Sequence, residues 1–108
     1  MRIMRSSSLF LPKTFFKFVN SHLFSGGFYF DYGHNYASSS LYSKNKLFEI
    51  CDINGVGCQA YYNDNIMEIK IPKEVPLSQS PYSENYFNTP TLYVENIWNF
   101  KQFLKDDT

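Results

Sequence analysis

Pro12-Lys13-Thr14-Phe15-Phe16-Lys17-Phe18-Val19-Asn20-Ser21-His22-Leu23-Phe24-Ser25-Gly26-Gly27 is the stretch on which the fold turns. At about 100° per residue, Phe15, Phe16, Phe18, Val19 and Leu23 share one face. Lys13, Thr14, Lys17, Asn20 and Ser21 fall on the other. Pro12 suits a first helical turn, where its missing N–H costs little. Gly26 and Gly27 suit a helix end. The spacing therefore predicts an amphipathic helix with a basic polar face. Such a helix can dock on an anionic membrane surface, a partner's groove or an import receptor, or pack on the chain's own sheet.

Outward from this stretch, the first thirty residues carry Arg2, Arg5, Lys13 and Lys17 and no acid. They also hold Ser6, Ser7 and Ser8 and seven of the eleven Phe. The other 78 residues hold six bases and all ten acids, so the two parts balance at +4 and −4. A Ser-rich, acid-free, Arg-containing start resembles an organelle transit segment. Residues 1–30 are accordingly expected to be a targeting or docking arm, and residues 31–108 a small domain. A chain of 108 residues holds one small domain, and a part of that size is marginal on its own. Aromatics make up 19%. More large apolar groups than a small core can hold suggest a surface covered by another protein. A coding bias toward Phe, Tyr, Asn, Ile and Lys would give the same excess.

Leu47 to Ile71 carries the plainest strand signals. Asn54-Gly55 is a strong type I′ hairpin signal. Centred there, Ile53 faces Val56, Cys51 faces Cys58, and Leu47 faces Tyr62. Met67, Ile69 and Ile71 alternate with Glu68 and Lys70 until Pro72. Strands are predicted over 47–53, 56–62 and 66–71, as a three-stranded antiparallel meander with a fourth strand near Phe28. Opposed Cys51 and Cys58 can form a disulfide or stay as two buried thiols. Residues 28–46, with Gly33, Asn35 and Ser38 to Ser40, read as a loop beyond Phe30.

Residues 72–90 contain Pro72, Pro76, Pro81 and Pro90 and read as a long irregular connection. Tyr82, Tyr86 and Phe87 are its apolar anchors. A helix is predicted over 91–105, capped by Thr89 or Thr91, with Leu92, Tyr93, Ile97, Phe100, Phe103 and Leu104 on one face. Trp98 falls outside that stripe, as an interface anchor or under the connection. The expected class is thus α+β: a small meander, an N-terminal amphipathic helix and a C-terminal helix.

No phosphate loop, metal-ligand array or nucleophile elbow is present in the sequence. Asp31, His34 and Tyr36 read as loop polarity, and His22 has no partner at ligand spacing. No catalytic, cofactor or metal residue is assigned, and the expectation is a protein that is not an enzyme. Zero net charge weighs against nucleic acid. No apolar run is long enough to span a membrane.

The expected employment is a non-catalytic structural accessory subunit of a large mitochondrial assembly, in the matrix or at the inner membrane. A respiratory-chain or ATP synthase complex fits first. Its partners would be other subunits, with membrane-surface contact through the N-terminal helix. Docking is expected through Phe15, Phe16, Phe18, Val19, Leu23, Tyr82, Tyr86, Phe87 and Trp98. Two alternatives stand: a mitochondrial ribosomal protein, resting on the basic start, and a free-standing β-rich ligand-binding module, with Tyr29, Tyr32, Tyr36 and Tyr61 around a shallow pocket.

Overall fold

The computed structural model describes residues 9–39, 46–58 and 64–99. Nine strands run along them: β1 Phe15–Val19, β2 Phe24–Ser25, β3 Phe28–Tyr29, β4 Gly33–Tyr36, β5 Phe48–Cys51, β6 Asn65–Lys70, β7 Ser78–Gln79, β8 Tyr86–Thr89 and β9 Thr91–Asn99. Seven of them form one antiparallel sheet in the order β4-β9-β6-β1-β5-β8-β7, and β2 and β3 form a separate hairpin. Two short 3-10 turns, Ala37–Ser39 and Ile53–Cys58, complete the described elements. The α+β expectation is overturned: the protein is mostly antiparallel β, and neither expected α-helix is present among the described residues.

The decisive stretch is the middle strand of the sheet. β1 pairs with β6 along its whole length, from Phe15↔Ile69 to Val19↔Asn65. On its other side it meets β5 at one residue pair, Phe16↔Cys51. Side chains alternate across a strand. Phe15 and Val19 enter the main core with Phe28, Phe30, Phe48, Ile50, Met67, Ile69, Leu92 and Val94. Phe16 and Phe18 enter a smaller cluster on the opposite face with Cys51, Val56 and Ile66. A strand buried on both faces reads as a near-continuous apolar run, which fits a helical wheel as well as a pleat. Aromatic and β-branched residues favour the pleat.

Gly26 and Gly27 are not a helix end. Their φ values of 61° and 91° put both in the left-handed region, between the paired Ser25 and Phe28. That is the two-residue turn that closes β2 on β3. The hairpin carries Phe28 over the main face of the sheet. Its ring meets Phe48 edge-on at 4.6 Å, and the Phe30 ring lies 5.2 Å from the same Phe48. Burial of each such ring contributes roughly 1.5–3 kcal/mol.

The expected C-terminal helix is β9, the longest strand, paired with both β4 and β6. Its pairing with β6 jumps from Glu68↔Asn96 to Ile69↔Val94, so Glu95 is an extra residue. This bulge lets Leu92 and Val94 face the core and puts Ile97 beside it too, breaking simple alternation. Residues 100–105 of the expected helix lie outside the described residues.

The meander is also corrected. β5 and β6 are not neighbours, because β1 lies between them. The Asn54-Gly55 hairpin is replaced by the 3-10 turn Ile53–Cys58. Asp52 directs this: its carboxylate accepts the N–H of Asn54 at 3.0 Å and of Gly55 at 3.2 Å. An Asx-type bond of this kind competes with a strand ladder. Residues 59–62 of the expected second strand lie outside the described residues, as does the side chain of Cys58 and with it the disulfide. The Pro-rich connection is in part regular, since β7 and β8 lie within it and β8 pairs with β5.

Candidate functional site

Lys17 is the residue out of place. It lies on β1 between Phe15 and Val19, on the face that builds the main core, and opposite the wholly buried Met67 of β6. An apolar side chain is what this position favours. Its ammonium instead turns toward the line where β1 and β5 part, and donates to the Glu49 carbonyl at 2.6 Å. The Phe30 ring centre is 6.0 Å from Nζ. Burial pushes its pKa down from 10.5 to about 8, opposed by the charges of Glu49 and Cys51 and assisted by Lys46.

Lys17 opens into a cleft of about 580 Å³ between β1, β5, β8 and the β2–β3 hairpin. Ser25, Gly26, Phe28, Lys46, Leu47, Glu49 and Asn88 complete its lining. Lys46 reaches across it to the Gly26 carbonyl at 3.1 Å. The turn of the hairpin and the segment entering β5 are thereby tied together over the cleft. Among the described residues the ion pair lies elsewhere, Lys13 to Asp52 at 3.4 Å. Among the described residues Lys17 and Lys46 are each matched by a carbonyl dipole, not by a carboxylate in contact.

The second feature is the edge strand β4. His34 stands directly across from Tyr93 of β9, their rings 4.9 Å apart and edge-on. The Tyr36 ring stacks along His34, and the Phe10 ring meets Tyr93 at 5.1 Å. Tyr32 and Tyr36 are exposed on this edge, as is Tyr29 on the neighbouring hairpin.

The residues expected to dock a partner separate into three groups. Phe15, Phe16, Phe18 and Val19 are interior, at 8% exposure or less, and have no free face to offer. Leu23 and Phe87 pack against the main core, and Tyr86 against the smaller cluster. Tyr82, at 94%, and Trp98, at 37%, are exposed. Trp98 stands across from the buried Ile66 on the outer face of β9. Of the pocket tyrosines, Tyr29, Tyr32 and Tyr36 are away from the cleft lining, and Tyr61 lies outside the described residues. Lys17 was missed as a site residue because a helical wheel puts it with Lys13 and Thr14 on a polar face. The available signal was one lysine inside the five-residue run Phe-Phe-Lys-Phe-Val.

Among the described residues no group of three His, Cys, Asp or Glu is gathered to hold a metal, and no helix is long and apolar enough to cross a membrane. No family model matches the chain, and no match emerges among curated proteins or solved structures.

Proposed function

We propose that this chain is a non-catalytic accessory subunit of a larger protein assembly, held to its neighbours by tyrosines that the fold leaves outside. The observation that carries this is the division of its aromatics. The interior is filled by Phe, while Tyr29, Tyr32, Tyr36 and Tyr82 are each more than half exposed. Tyr at a surface offers large contact area with a polar tip and little entropy to lose, which suits an interface anchor. Among the described residues β4 is an edge strand of the sheet, a place where a further strand can add. On this reading one adhesive surface is β4 with Tyr32 and Tyr36 and the nearby Tyr29, a second is Tyr82 between β7 and β8 at the opposite edge, and β1 is the fixed middle strand between them.

The proposed setting is a mitochondrial respiratory-chain or ATP synthase complex, supported by the acid-free, basic start of the chain. Two of its four bases serve the domain itself, Lys13 at Asp52 and Lys17 at Glu49. The address therefore rests on Arg2, Arg5 and the serines that follow them.

A photo-crosslinking residue at Tyr32, Tyr36 or Tyr82, in cells expressing the full chain, tests the reading. The expected result is one recurrent partner, co-migrating on a native gel from a mitochondrial fraction. A free monomer in cells with no crosslink from any of the three positions would overturn it.

A further inference from the structure

We propose that the cleft between β1, β5, β8 and the β2–β3 hairpin binds a small organic carboxylate. The ammonium groups of Lys17 and Lys46 would hold its head, and Phe28 and Leu47 would receive its apolar body. Lys17 comes to the cleft from the middle strand, and Lys46 from the segment leading into β5. An ammonium has three N–H donors. Lys17 spends one on the Glu49 carbonyl and Lys46 one on the Gly26 carbonyl, so each retains donors for a ligand. Both receiving carbonyls belong to the cleft wall, which fixes the two side chains in place before any ligand arrives. Such preorganisation lowers the ordering cost of binding.

The surroundings select the charge and size of the ligand. Among the described residues the charged groups lining the cleft are Lys17, Lys46 and Glu49, a net charge of +1. Cys51 on β5 also acts on Lys17. The hairpin contributes Ser25, Gly26 and Phe28, and β8 contributes Asn88, none of them ionised. A single negative charge neutralises this lining, and a dianion overshoots it. Ser25 and Asn88 can give further hydrogen bonds to the head. A volume of about 580 Å³ lies within the range of small-ligand sites. Phe28 is interior and packs against the rings of Phe30 and Phe48, so its position is rigid. A bound carboxylate would also relieve the exposure of Lys17 to a poorly solvated site, pushing its pKa back up. Binding should therefore take up a proton above neutral pH.

Hexanoate and benzoate are the probes, with inorganic phosphate as the competing arm, followed by amide shifts in two-dimensional NMR on the full chain. The expected result is saturable shifts at Gly26, Leu47, Glu49 and Asn88 with at least one of the two carboxylates. Affinity should fall by about tenfold between pH 7 and pH 9 as the charged fraction of Lys17 falls from about nine-tenths to one-tenth. Lys17→Met, which keeps the fold's apolar pattern, should lose at least tenfold in affinity. Lys46→Ala, at an exposed position, should lose about threefold. The Hε and Cε resonances of Lys17 should titrate at a higher pH in the presence of saturating probe. Absence of saturable shifts with both carboxylates would overturn the proposal. So would equal affinity in Lys17→Met, or binding of phosphate alone, which would assign the cleft to another anion class.

Discussion

Replacing Lys17 by Met should make the protein more stable at neutral pH, although it removes a 2.6 Å hydrogen bond. The fall in pKa from 10.5 to about 8 measures how strongly the folded protein disfavours the charged amine. At 1.36 kcal/mol per tenfold change, that is roughly 3 kcal/mol. A hydrogen bond from the charged amine to the Glu49 carbonyl is lost and costs back about 1.5 kcal/mol. Met is flexible, close in length and suited to the space beside Met67. The net gain is about 2 kcal/mol at pH 7. Its pH dependence is the sharper test. The unfolded chain holds the Lys17 proton up to pH 10.5, and the folded protein releases it near 8. Between these values the unfolded state binds more protons, so the Lys17 contribution makes stability rise with pH. The variant lacks this rise. Its advantage should shrink from about 2 kcal/mol at pH 7 to near zero at pH 10. Urea unfolding of both proteins at the two pH values, followed by far-UV circular dichroism, gives the difference directly, and other titrating groups cancel. A variant less stable at pH 7, or a difference that does not change with pH, would refute the reasoning.

Four further substitutions separate this fold from the one its sequence suggests. Phe15→Ala should cost about 3–5 kcal/mol, since the side chain is 1% exposed and meets Phe87 edge-on. A peripheral helix would lose far less, and a melting temperature within 3 °C or so of wild type would exclude the central strand. Asp52→Ala should cost about 2 kcal/mol in urea unfolding, because the N–H groups of Asn54 and Gly55 and the Lys13 ammonium lose their acceptor. A cost near zero would show that the 3-10 turn does not depend on it. Gly55→Ala should cost about 1–3 kcal/mol, because the new Cβ would lie 2.8 Å from the Cβ of Cys51. Gly26→Ala meets nothing within 4 Å and should cost about 1 kcal/mol, through its positive φ alone. Equal costs at the two glycines would contradict the packing against Cys51.

The parts of the fold that were legible in the sequence have one buried face and one wet one. β6 comes close to this: Ile66 at its start is buried on the opposite face, but from Met67 onward Met67, Ile69 and Ile71 alternate with the half-buried Glu68 and Lys70, and the strand can be read from them. β1 has no wet face, and without alternation the period cannot be recovered from five residues. β9 has a wet face, yet the Glu95 bulge shifts its phase by one residue in mid-strand. Leu92, Val94 and Ile97 then fit no single period of two. The Asn-Gly turn signal was overridden by its own neighbour, since Asp52 offers the turn's N–H groups an acceptor that a hairpin strand would supply from across the sheet. The true two-glycine turn lay at Gly26-Gly27, in the stretch whose apolar pattern also suited a helix. Strand order was beyond reach for a different reason. Nothing local to β5 or β6 states that a strand from thirty residues upstream will come between them. Such non-local pairings are fixed by which buried faces fit, not by neighbouring sequence.

The same ambiguity hid the cleft. On a helical wheel Lys17 sits harmlessly with Lys13 in water, and only on a pleat does it fall between Phe15 and Val19. Lys13 does remain at the surface, paired with Asp52. A lysine on the core side of a central strand is costly to the fold, and among the described residues its hydrogen-bond acceptor is a neutral carbonyl. Packing therefore gives no reason for a lysine there, and a Met or Leu would serve the sheet better. Groups that cost stability while opening into a cleft are where function is expected to be stored. Lys17→Met sets the two accounts against each other in one protein. A gain in stability together with a loss of carboxylate binding is what a site built at the fold's expense requires. A loss of both would mean that Lys17 serves the sheet, holding β5 by the Glu49 carbonyl where the strand ladder itself has ended at Phe16↔Cys51.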